Sequence, residues 1–250
     1  MYHESPPAWT RQPGARCRAI EHLTRLEHLQ EFEAFAGLEE DFIQALAGVA
    51  SGMEVGAGTA IYREGEPSGS AYLLARGRVK LHRTSRKGRD QIQGVQGDGS
   101  VLGLATSLAG EPRSHGAGAL TTCELYVVFH NDLLDLMQRF PKAALRLSQL
   151  LAKESRELEE LVSGLVFHSA PQRVARMLLN LATEEGRVTK QGVVFEPSLS
   201  RQEMSEATGI SREALSRTLS RLAQEGILEL EGKSVTILQP TELRLKTGDV

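Results

Sequence analysis

The chain has 250 residues, 40% of them hydrophobic, and 29 Lys and Arg against 32 Asp and Glu leave a formal charge of −3. Such a length and apolar content allow one large or two modest domains with cores of their own. They exclude a transmembrane helix, since no apolar run approaches the roughly 18 residues a span needs, and two cysteines exclude a disulfide framework.

The N-terminal run MYHESPPAWTRQPGARC has no signal-peptide hydrophobic region. Residues 1–30 read as an extension, Pro- and Arg-containing at first, then charged and helical in character, and partly disordered. Cys17 and Cys123, with no other cysteine, fit a reducing compartment, the cytoplasm. Residues 31–50, EFEAFAGLEEDFIQALAGVA, set Phe32, Phe35, Leu38, Phe42 and Leu46 at helical spacing. Between 52 and 118 the character changes. Fourteen of the chain's 24 glycines lie there, separating short apolar pieces such as TAIY, AYLL and RVKLH. Dense turns between short strands predict an antiparallel roll or barrel.

A long helix follows. Pro141 suits a first helical position, and Phe140 before it is pushed out of helical geometry. Leu147, Leu151, Glu154, Leu158, Leu161 and Leu165 then alternate spacings of four and three, the seam of a coiled coil between two copies. Glu154, its one polar member, would help fix the register. Pro171 opens another amphipathic helix whose inner stripe is Val174, Leu178 and Leu181.

Residues 198–238, SLSRQEMSEATGISREALSRTLSRLAQEGILELEGKSVTIL, have the outline of a winged helix-turn-helix, a device that lays one helix in the DNA major groove. Ser200 and Glu203 form a capping box for a helix to about Thr208. Gly209 supplies the left-handed end, and Ile210 covers the joint. Ser211 caps a second helix through about Gln224, with Leu215, Leu219 and Leu222 as its buried stripe. Gly226 stops it, and ILEL and SVTIL alternate around Glu231-Gly232-Lys233 as the wing. Glu213, Ser216, Arg217 and Ser220 fall on the other side, and Arg212 sits at the exposed N-terminal end, where a recognition helix meets base edges. An arginine fork matches guanine and a glutamate accepts from cytosine, so Arg212, Glu213 and Arg217 are the base readers. Ser200, Arg201, Gln202 and Ser211 sit at helix N-termini, where phosphates are held. Residues 196–250 carry seven Lys/Arg against nine Asp/Glu, so binding rests on local placement, with a modest salt dependence.

The run SRQEMSEATGISREALSRTL with its short wing resembles the DNA-binding segment of the Crp/Fnr family, the cyclic-AMP receptor protein group of bacterial regulators. The family's R-E-x-x-x-R triplet falls on Arg212, Glu213 and Arg217. The resemblance extends over nearly all of the chain beyond about residue 30, and YREGEPSGSAYLLARGRVKL is close to the family's cyclic-nucleotide-binding roll. It implies an α+β fold with an N-terminal antiparallel β-roll, a long dimerisation helix and a C-terminal winged helix-turn-helix. The corresponding segments are 1–30 (extension), 31–135 (sensor), 136–168 (dimerisation) and 169–250 (DNA binding). It further implies a homodimer on a two-fold operator of double-stranded DNA, half-sites similar to TGTGA, and RNA polymerase as partner.

In the nucleotide-binding members a Gly-Glu pair and an Arg-Ser pair hold the ligand. Here Gly103, Arg113 and Ser114 match, but Leu104 stands in the glutamate's place. The family's adenine-contacting Thr-Ser aligns with Leu158 and Glu159. A leucine cannot accept the ribose hydrogen bond, and an unpaired hydroxyl in a closed pocket costs about 1–3 kcal/mol. Cyclic AMP is therefore expected to bind poorly or not at all. No cofactor is expected, and the sequence names no other effector. An iron–sulfur cluster usually takes four thiolates; Cys17 stands alone, and Cys123 reads as a buried strand residue. His82, His115 and His130 are isolated in or beside the roll, and Cys17, His22 and His28 lack a zinc spacing. A rival reading is a regulatory module acting through protein contacts. An enzyme is not expected, since no P-loop, G-x-S-x-G, H-E-x-x-H or paired metal motif is present.

Overall fold

The structure, a computed structural model, describes residues 15–17, 22–85 and 90–248. Two units divide the chain, residues 1–87 with 94–156, and 88–93 with 157–250. Strands β1 (Ala15–Cys17), β2 (Ser51–Val55), β3 (Ala60–Tyr62), β4 (Ser70–Arg76), β5 (Val79–Thr84), β6 (Asp90–Gln96), β7 (Ser100–Leu102), β8 (Gly116–Ala119) and β9 (Cys123–Phe129) form two sheets. Their orders are β1-β2-β9-β4-β7 and β3-β8-β5-β6. The pairs β1–β2, β2–β9, β4–β9, β4–β7, β3–β8 and β5–β8 are antiparallel, the roll that the glycine-rich turns predict.

The central strands explain why AYLL is continuous rather than alternating. Successive side chains of a strand point to opposite faces, and both faces of β4 and β9 are buried. Tyr72, Leu74, Leu125 and Val127 enter the core between the sheets, with Met53, Ile61, Val79 and Cys123. Ala71, Leu73, Tyr126 and Val128 enter a second core on the outer face. There they meet helices α1 (His22–Gln30), α2 (Glu40–Val49), α3 (Leu104–Ala109), α4 (His130–Arg139) and the first part of α5 (Pro141–Phe167) through Leu29, Phe42, Leu104, Leu133, Ala143 and Leu147.

The helical spacing over residues 31–50 is divided between a 3-10 turn, Glu33–Phe35, and α2, with Gly37 at a left-handed φ of +77° between them. One expectation changes here. Residues 22–30 are not an extension. Leu29 of α1 is fully buried, Arg25 donates to the carbonyls of Ala47 and Ala50 at the end of α2, and His28 Nδ1 lies 2.6 Å from the hydroxyl of buried Tyr126. The charges that make α1 look solvated are the groups that anchor it. Of the expected extension, residues 1–14 and 18–21 lie outside the described residues.

The second unit holds α6 (Ala170–Glu185), β10 (Arg187–Val188), β11 (Val193–Phe195), α7 (Arg201–Thr208), α8 (Arg212–Gln224), β12 (Leu228–Glu231), β13 (Ser234–Ile237) and α9 (Pro240–Leu245). Val174, Leu178 and Leu181 are buried on α6, the stripe read from Pro171 onward. The wing is broader than the expected hairpin, a four-stranded sheet ordered β10-β11-β13-β12. Among the described residues no helix is long and apolar enough to cross a membrane.

Candidate nucleic-acid interface

Helices α7 and α8 are set by their ends. The Ser200 hydroxyl accepts from the Glu203 amide at 3.3 Å, and the Glu203 carboxylate accepts from the Ser200 amide at 3.0 Å, satisfying two orphan donors at once. Gly209 closes α7 at φ +65°, a conformation that costs glycine nothing, and the Ile210 amide returns to Ser205 O at 3.1 Å. The Ser211 hydroxyl accepts from the Ala214 amide at 3.2 Å. Leu215, Leu219 and Leu222 then turn inward, which leaves Arg212, Glu213, Ser216, Arg217 and Ser220 exposed on the opposite side. The wing pairs Leu228 with Ile237 and Glu231 with Ser234, joined by Gly232-Lys233 with Gly232 at φ +59°.

The electrostatics suit polar recognition. Its own backbone amide and the Ser211 hydroxyl hold the Glu213 carboxyl below the usual carboxylate range, and Arg217 and Arg212 add to this; Glu213 stays an ionised acceptor. Arg212 Nε donates to Gln202 Oε1, and Gln202 Nε2 donates to Glu206 Oε1. A carboxylate only accepts, so Glu206 orients the Gln202 amide and the amide orients the guanidinium. The Ser200 hydroxyl donates to Glu203 at 2.8 Å, and Ser211 is bonded to Glu213. Both serine protons are thus committed to the caps. Arg201 is exposed beside them, with a guanidinium nitrogen 3.8 Å from Met204 Sδ.

In the roll, Arg113 is 3% exposed. Its Nη1 donates to Gly103 O at 2.9 Å and to Thr106 Oγ1 at 3.2 Å, and its Nη2 donates to Ser70 O. Its guanidinium lies 4.4 Å from the Tyr62 ring centroid and 5.5 Å from that of Tyr72, within cation–π range. A Cβ at Gly103, where φ is +66°, would stand 2.1 Å from Arg113 Nη1, so another residue there would be strained and would displace the guanidinium. Ser114 is exposed, with its hydroxyl 3.0 Å from His115 Nδ1, and His115 Nε2 is 3.3 Å from the Tyr62 hydroxyl. Burial, then the Arg113 charge, lower the His115 pKa, so the ring is neutral at pH 7. Leu104 differs from expectation: it is 2% exposed and belongs to the helical core with Phe35, Leu133 and Leu147. An apolar side chain that opens a helix gains more from that core than from a polar pocket. Leu158 and Glu159 are exposed on α5 beyond residue 156, in the second unit.

The seam on α5 also needs correction. Leu147 is 4% exposed and packed in its own unit's core; it is unavailable to a partner. Leu151 leans on the same core, and Glu154 is half-buried, with its charge felt at Tyr62. Leu161 is half-buried, and the side chain of Leu165 lies outside the described residues. Leu145 and Phe167 are exposed near the two ends of α5, and between them the exposed large apolar side chains are Leu158, Val162 and Val166, at 50%, 60% and 69%. Their spacing of four was visible in the sequence, but the heptad pattern passed over both valines. Among the described residues, no group of three or more His, Cys, Asp or Glu is placed to hold a metal ion.

Residues 53–140 match the cyclic nucleotide-binding domain, and residues 172–245 match the Crp-like helix-turn-helix domain. The chain is 33% identical over 180 residues to the cyclic AMP receptor protein of Thermus thermophilus, covering 72% of this chain and 80% of that protein. It is 28% identical over 203 residues to the CRP-like cAMP-activated global transcriptional regulator of Mycobacterium tuberculosis, covering 81% and 91%. The chain belongs to the Crp/Fnr family of transcription regulators. Its fold superposes on FixK2 from Bradyrhizobium japonicum with a TM-score of 0.71 at 25% identity, covering 79% of this chain and 96% of that one. As a member of the Crp/Fnr family it is a DNA-binding transcription regulator with a cyclic nucleotide-binding domain.

Proposed function

We propose that two copies of the chain bind a two-fold DNA operator, each reading bases with Arg212, Glu213 and Arg217. One observation carries this reading: the three side chains stand exposed together on α8 while Leu215, Leu219 and Leu222 fix the helix from behind. Gln202 and Arg201, with the amides that open α7 and α8 beside Ser200 and Ser211, meet the flanking phosphates. The two copies join along the outer row of α5, with Leu158, Leu161, Val162 and Val166 in contact, and RNA polymerase is the partner through which occupancy acts. Selection of bound sequences from random duplex DNA, with the full chain alone, tests the whole reading. A two-fold consensus is expected, and recovery of unrelated sequences would overturn it. Arg217→Ala should cost about 1–3 kcal/mol on the best operator and relax selectivity at one base pair. Equal loss on every sequence would make Arg217 a phosphate contact instead.

The roll acts without cyclic AMP. Arg113 is already held by Gly103, Thr106 and Ser70, and Leu104 is spent on the helical core. This departs from the Thermus thermophilus and Mycobacterium tuberculosis relatives, whose names tie them to cyclic AMP. Calorimetric titration with cyclic AMP and cyclic GMP should show no saturable heat; micromolar binding of either contradicts this account of the pocket.

A further inference from the structure

Arg173, on the first turn of α6, holds two helix ends at once. Its Nε donates to Thr208 O at 2.8 Å and its Nη1 to His168 O at 2.6 Å. Thr208 is the last residue of α7, and His168 is the first beyond α5. Both carbonyls lie where a helix runs out of internal donors and its dipole is negative, so a cation suits them. Further hydrogen bonds close the joint between α5 and α6. The His168 amide donates to Gly164 O at 3.1 Å, the Ser169 amide donates to Gln172 Oε1 at 2.7 Å, and Ser169 and Gln172 close a capping box.

We propose that Arg173 sets the angle at which α5 delivers the helix-turn-helix, and thereby the half-site spacing that the dimer accepts. It touches none of the base-reading side chains. Its planar fork fixes two acceptors in one geometry, which a lysine's single ammonium cannot reproduce. With the fork removed, α7 and α8 still pack on each other and read a half-site, but the pair swings about residues 168–169. The penalty for a misplaced second half-site then falls. This inference rests on the homodimer reading above.

The test uses the full-length protein, as wild type, Arg173→Lys and Arg173→Gln. Affinities are measured on a single half-site and on operators with the selected spacing or one base pair more or less, each base pair turning the second site by about 34°. The wild type should prefer the selected spacing by about tenfold or more. Arg173→Gln should lose most of that preference while half-site affinity and base consensus stay the same, with Arg173→Lys between. A wild type indifferent to spacing overturns the two-fold reading itself. A selective wild type matched by Arg173→Gln overturns the role of Arg173. If Arg173→Gln does not fold, Arg173→Lys decides: full selectivity in it refutes the proposal, and reduced selectivity with an unchanged melting temperature supports it.

Discussion

Leu158→Glu combined with Val162→Glu should leave monomers of 27.3 kDa and lower affinity for the full operator by about 10²–10⁴-fold. The two positions are one turn apart on α5, and both side chains are exposed. In the proposed dimer the substitutions place four carboxylates against one another. Burying each uncompensated charge costs several kcal/mol, roughly, well beyond what neighbouring apolar contacts can offset. Affinity falls because a joined pair binds its second half-site intramolecularly, whereas separate chains bind it from solution. Sedimentation reads the mass, and anisotropy reads binding to whole and half operators. Half-site affinity should survive. A double variant that still sediments as a dimer places the contact elsewhere on the chain.

Leu178→Ala should destabilise the second unit by about 2–5 kcal/mol. Leu178 has no exposure, and neither do Val174 and Ala175 beside it on α6, so truncation leaves a cavity that the helix cannot collapse to fill. Domains of this kind are stable by about 5–15 kcal/mol, so the loss is a large share of the whole. The denaturation midpoint followed by helical circular dichroism should fall, and specific DNA binding should fall with it on warming and return on cooling. An unchanged midpoint would mean that α6 is not part of the core behind α8.

These outcomes divide what was legible in the chain from what was not. The winged helix could be read because its signals are local: a serine and a glutamate three apart, a glycine where φ must be positive, leucines at helical period. The roll could be read as a class from its glycines. Its strand faces could not, because β4 and β9 are buried on both sides and carry no alternation. Leu147 was misplaced because periodicity marks a side chain as apolar and facing something, and says nothing of whether that is the same chain or another. Leu104 was misplaced because the resemblance gave its position along the chain and not the direction of its side chain, which enters the helical core. Arg25 and His28 were hidden because their partners, two carbonyls and a buried tyrosine hydroxyl, lie 22 to 98 residues away. The tie from Arg173 to Thr208, 35 residues apart, was invisible on the same grounds.

The link from Glu206 through Gln202 to Arg212 bears on how such regulators are retargeted. Exchanging α8 alone between relatives would carry Arg217 with its environment intact, yet strand Arg212 without the amide that aims it. A graft that keeps the donor's residues at 202 and 206 together with α8 moves the reading head as one part. The transferable cassette therefore begins one helix earlier than the surface proposed to meet the groove.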